Sequence, residues 1–119
     1  MQLHRMSEIE SVRDDSPIFV GEVSRKSMVT DDHPGLLRAT LITFHDGARN
    51  RLHRHGADQL LVVTEGEGIV ATERETLLVQ QGDVIHIPAG ERHWHGARPG
   101  RTFSHISILT PGEMVIDGD

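Results

Sequence analysis

The chain has 119 residues, no cysteine, no tyrosine and a formal net charge of −6. That length holds one domain with a real core and no separate substrate domain. The missing cysteines exclude disulfides, thiolate metal sites and a cysteine nucleophile, and the acidic balance speaks against nucleic acid or an anionic membrane as partner.

No apolar run approaches the length of a membrane helix, and no signal-like stretch follows the start, so the chain reads as cytoplasmic. Residues 1–17 are polar and read as a flexible arm, with Met1 and Met6 both acceptable as the start. Strand-like runs occupy 18–23 and 26–29, and Asp31-Asp32-His33-Pro34-Gly35 turns the chain into a longer strand at 36–44. His45-Asp46-Gly47 turns it again, ahead of a strand at 51–55. Residues 60–64 lead into Glu65-Gly66-Glu67-Gly68, which reads as a tight hairpin because its glycines accept positive φ. A second hairpin joins 69–72 to 76–80. A strand at 82–87 stops at Pro88-Ala89-Gly90, and 92–95 and 102–109 complete the set. Residues 113–119 form an acidic tail expected to fray. Nothing keeps the 3.6-residue period of an amphipathic helix, and many short strands at this spacing predict an all-β sandwich or barrel over 18–112. Leu60 and Val62 share one face of their strand and Leu61 and Val63 the other. A strand apolar on both faces is covered on both, which in so small a barrel calls for a second subunit and predicts a homodimer.

His53 and His55 alternate on a strand and so point to one face. His93 follows a strand and a Pro-x-Gly turn. Three converging neutral imidazoles make a site for a first-row divalent metal ion. His95 lies two residues beyond His93, on the same side if the strand runs on. His105 shares a face with Phe103 and Ser107 on the last strand and is a candidate for the cavity. His86 alternates with Ile85 and Ile87 and reads as outward, and Trp94 faces away from His93. His4, His33 and His45 fall in the arm or in turns.

Gly47, five residues, His53-x-His55, three residues, Gln59, six residues and Gly66 resemble the first cupin motif; Gly82, five residues, Pro88-x-Gly90, two residues and His93 resemble the second. Two motifs in order and at the right spacing are far more specific than either alone. The resemblance implies an antiparallel jelly-roll barrel, the double-stranded β-helix of cupins. It implies one divalent metal ion (iron, nickel, zinc, copper or manganese) on His53, His55, Gln59 and His93. The family's usual Glu and Asn are replaced here by Gln59 and Ala97. A glutamine oxygen is a neutral, weaker donor and leaves the ion its full charge. Asp58 is the rival for this position, and the motif spacing selects Gln59. The segment His93-Trp94-His95-Gly96-Ala97 with Ser104-His105-Ile106-Ser107-Ile108 is also similar to small cupins found with carboxymuconolactone decarboxylases.

The resemblance implies a dioxygenase, decarboxylase, isomerase or lyase acting on a small carboxylic or aromatic ligand. The alternative is a non-catalytic module that binds a metal or a small molecule. If the chain is an enzyme, a protein base is expected at His95 or His105, since no tyrosine or cysteine exists and no carboxylate falls at a motif position.

Overall fold

Glycines and acidic turns cut the apolar sequence into short strands, and a computed structural model describes residues 1–119, whose regular elements are all strands apart from one 3-10 turn at Met6–Glu8. In chain order these are β1 Val12–Arg13, β2 Phe19–Val20, β3 Val23–Val29, β4 Arg38–Phe44, β5 Arg49–Asn50, β6 His53–His55, β7 Gln59–Thr72, β8 Thr76–Gln80, β9 Val84–Ile87, β10 His93–Ala97, β11 Phe103–Leu109 and β12 Met114–Ile116. One layer runs β1-β3-β4-β11, then the first half of β7, then β9. The other runs β2-β5-β10, then the second half of β7, then β8, with β6 between β10 and β12. Every pairing is antiparallel, and the curled sheet is the expected jelly-roll barrel. No helix is long and apolar enough to cross a membrane.

The core fills the space between the layers. Val23, Ile42, Phe44, Leu61, Val63 and Phe103 face Val70, Val79 and Ala97. Phe44 stacks on Phe103 at 6.0 Å and meets Phe19 edge-on at 6.0 Å. Phe44 also touches His95 at 5.7 Å and His105 at 5.6 Å. The aromatic core is therefore the floor of a histidine-lined cavity, and the dry packing below it holds those imidazoles in place.

Four expectations need correction. Glu65-Gly66-Glu67-Gly68 is no hairpin: β7 runs on unbroken and crosses from one layer to the other. Gly66 has φ +74°, and a Cβ there would collide with the Thr102 carbonyl oxygen, so the glycine serves a bend beside the register shift at Ser104/His105. The strand expected at 18–23 is broken by Gly21, φ +92°, where a Cβ would lie 2.9 Å from that of Ala48. In the arm, Val12–Arg13 pairs with Ser24 and Arg25, and Asp14 is buried against Arg25 at 3.1 Å. The acidic tail does not end in loose chain either. Met114–Ile116 pairs with His53–His55, and Arg51 holds Asp119 at 2.6 Å while Arg54 and Arg92 approach Asp117 at 3.5 and 3.6 Å. A basic strand neighbour gives the acids partners that sequence proximity alone does not reveal.

Candidate metal centre

His53 and His93 are direct partners across β6 and β10, and His55 lies two residues along β6, so all three imidazoles stand on one face. The His53 and His93 rings are 4.3 Å apart, His53 and His55 5.0 Å, His55 and His93 5.8 Å. One nitrogen from each lies within 4.8 Å of the others. Nδ1 of His53 donates to the Arg51 carbonyl at 2.7 Å, and Nδ1 of His93 to the Glu91 carbonyl at 2.8 Å. Each neutral ring is thereby left with a bare Nε2 turned inward, as metal ligands are oriented by the partner of the other nitrogen. Nε2 of His55 is buried without any partner.

Gln59 stands beside this group. Its Nε2 donates to Ser107 Oγ at 2.8 Å, which turns Oε1 toward His93 Nε2 at 3.3 Å. Both atoms are then acceptors, and two lone pairs facing each other repel unless a cation lies between them. Two donors each about 2.1 Å from one metal ion sit roughly 3 to 3.4 Å apart, so the spacing suits shared coordination. The residues present fit a divalent ion. Asp58 is excluded from this wall: it is exposed, accepts from the Ala89 N–H at 2.9 Å and pairs with outward His86 at 2.8 Å.

Burial sets the protonation. It pushes His53 down to about 3, with repulsion from His93 and His55 adding to it against the Arg51 bond. Burial and His93 push His55 down to about 4, and burial lowers His93 as well. All three are neutral at neutral pH, the form a metal ion needs.

The imidazoles of His53 and His55 line a cavity of about 180 Å³ that Gln59, His95, His105 and Ser107 also line. His95 and His105, picked from strand alternation, are both buried there, 3 % and 0 % exposed. They form a second histidine unit. Asn50 Oδ1 accepts the His95 backbone N–H at 2.7 Å, which fixes the amide, and its Nδ2 donates to His95 Nε2 at 3.1 Å. His95 Nδ1 then carries the proton and donates to His105 Nε2 at 3.0 Å. The remaining proton of His105 sits on Nδ1, which is buried without a partner. Burial first, then the neighbouring histidines, holds His95 well below its ordinary value; burial takes His105 down to about 3. Burial leaves both rings much weaker bases than an ordinary histidine, which weighs against the protein base expected at His95 or His105. Asn50 escaped sequence reading because nothing in Arg49-Asn50-Arg51 marks a 3 % exposed amide that packs on β10.

The cupin-domain family profile matches residues 40–109. The chain belongs to the cupin family. This cupin is 32% identical over 109 residues to an (R)-mandelonitrile lyase of Granulicella tundricola, covering 91% of this chain and 83% of the relative. It is 29% identical to an acireductone dioxygenase of Parasynechococcus marenigrum, where the match spans 71% of this chain and 45% of that protein. Among solved structures, a cupin-like protein from Thermotoga maritima superposes with a TM-score of 0.84 at 32% identity, over 90% of this chain and 84% of that one. The polyketide cyclase RemF of Streptomyces resistomycificus reaches the same TM-score at 17% identity over 100% of this chain and 88% of its own, a likeness of fold alone.

Proposed function

We propose that this cupin is a metal-dependent lyase for a small carboxylic or aromatic compound, cleaving a carbon–carbon bond beside a hydroxyl so that the hydroxyl becomes a carbonyl and its proton leaves with the departing anion. The observation that carries the reading is one cavity lined by His53, His55 and Gln59, with His93 grouped beside these histidines, and also by a separate hydrogen-bonded pair, His95 and His105, that the metal set does not need. A divalent ion held by those four residues supplies Lewis acidity toward a substrate oxygen. His105 offers its unpartnered Nδ1–H to the anion that develops or leaves. His95 and Asn50 hold that tautomer by the donor chain that runs from the Asn50 amide. Ile42 and Phe44 close the floor against water.

The likeness to a mandelonitrile lyase supports the lyase reading over most of both chains, whereas the dioxygenase likeness spans less than half of that enzyme. We also propose a homodimer. On the outer face of the first layer Leu41, Ile106, Val62 and Val84 stand in one row across four strands, beside Ala39, Ile108 and Leu60 in the next. Such a partly exposed apolar sheet face suits a second copy.

The test is turnover of an aromatic cyanohydrin, read as aldehyde release, by protein loaded in turn with manganese, iron, nickel, copper and zinc. H95Q and H105Q are each expected to lower turnover about a hundredfold with metal content unchanged, the usual size of loss for one donor to a developing anion. No turnover with any of the metals would support the non-catalytic binding module instead.

A further inference from the structure

No carboxylate lines the cavity, yet one arginine does. Arg25 on β3 is the direct partner of Ile42 on β4, and Ile42 is that of His105 on β11, so the three side chains share the inner face in one row. With neighbouring strands about 4.8 Å apart, the Arg25 and His105 backbones are roughly 10 Å apart. Arg25 is fixed rather than free. Its Nη1 donates to Asp14 Oδ2 at 3.1 Å and its Nε to Ser27 Oγ at 3.2 Å, while Nη2 makes no hydrogen bond. Ile42 stands between Arg25 and His105, and Ile18, Phe19 and Leu109 are further apolar side chains of the same cavity.

We propose that Arg25 is a specificity residue, an anion subsite at the cavity mouth that takes the carboxylate of a ring-bearing acid whose other end reaches His105 and the metal set. The inference rests on the reading of this cavity as the ligand site and adds the ligand's charge and length. Three features point the same way. The four metal ligands are neutral, so a bound divalent ion keeps its whole charge. His105 presents a buried N–H with no well-formed hydrogen bond, only the backbone of Ile106 and of His105 itself beside the ring. Arg25 supplies a positively charged group with a spare donor. A cavity of about 180 Å³ is slightly larger than the engineered 150 Å³ cavity that accepts benzene, so it holds one ring with small substituents. The Asp14 carboxylate competes for Arg25 from behind, and it does not line the cavity.

The test is calorimetric titration of metal-loaded protein with 4-hydroxybenzoate and with its neutral isostere, 4-hydroxybenzamide. The two end groups of each are too far apart to chelate one ion. The readout is the ratio of the two affinities. R25Q should lower the acid-to-amide ratio about tenfold, the usual worth of one charged hydrogen-bonded contact. R25K should keep part of the preference. D14N should raise the ratio, because the competing carboxylate is gone while the side-chain oxygen still accepts from the N–H and hydroxyl of Ser16. A merely destabilised barrel would not move the ratio in opposite directions. If R25Q leaves the ratio unchanged although both compounds bind, the Arg25 subsite is overturned and the cavity reading stands. If neither compound binds the wild-type protein, the cavity reading falls and takes the subsite with it.

Discussion

Acid should unfold the metal-free protein well above the range where its carboxylates titrate. His53 and His105 are held at about 3 and His55 at about 4, chiefly by burial, against an ordinary value of 6.5. The unfolded chain therefore binds protons from pH 6.5 downward, while the folded chain binds them only near 3 to 4. Stability is fully present above pH 6.5 and is lost as the pH falls across that window. At pH 5 each such group costs ~2 kcal/mol relative to pH 7.5. Three independent groups would cost ~6 kcal/mol, and their mutual coupling and a compact denatured state reduce this, so the expected loss is at least ~3 kcal/mol. That is a large part of the roughly 5 to 15 kcal/mol of an ordinary domain. Asp14 does not contribute above pH 5: burial opposes its ionisation, but bonds from Ser16 and Arg25 outweigh it and hold the carboxyl below its usual value. The assay is urea unfolding of chelator-treated protein at pH 7.5, 6.5, 5.5 and 5, followed by far-UV circular dichroism. A midpoint that stays constant between pH 7.5 and 5 would refute the buried neutral histidines.

Gln59→Glu should tighten metal binding, most clearly for manganese and iron, because a carboxylate replaces a neutral oxygen while Ser107 can still donate to it; unchanged affinity in a metal titration would take Gln59 out of the coordination sphere. Ile106→Lys, in the middle of the apolar outer row, should shift the mass in light scattering from dimer to monomer at micromolar concentration, and a wild-type monomer would refute the interface. Phe44→Ala should cost about 3 to 5 kcal/mol in urea unfolding, as for other buried aromatics, since Phe44 is fully buried and carries Phe19, Phe103 and both cavity histidines.

The grouping of His53, His55 and His93, with Gln59 beside His93, was legible because it depends on strand alternation and motif spacing. The same alternation found His95 and His105, since a period of two survives any error in strand ends. What stayed hidden depends on which strand lies beside which. Asn50 matters through a hydrogen bond to residue 95, and Arg25 through a row shared with residues 42 and 105, and neither neighbour is close in sequence. Gly66 marks a break in backbone geometry in either reading. Only the Thr102 carbonyl packed against it decides between a hairpin and a bend that crosses layers. The tail was misread because local acidity suggests solvation, while Arg51, Arg54 and Arg92 wait on and beside the strand it joins.

His53, His55 and His93 with Gln59 are expected to hold one divalent metal ion in each chain. Elemental analysis of untagged protein, before and after loading and extensive dialysis, tests it directly when run beside the double variant H53A/H55A. The account predicts about one equivalent of metal per chain in the wild type, held with nitrogen ligation at about 2.0–2.1 Å, and none retained by the double variant that still folds by circular dichroism. Equal metal content in the two proteins, or a wild type that retains none after loading, would contradict it.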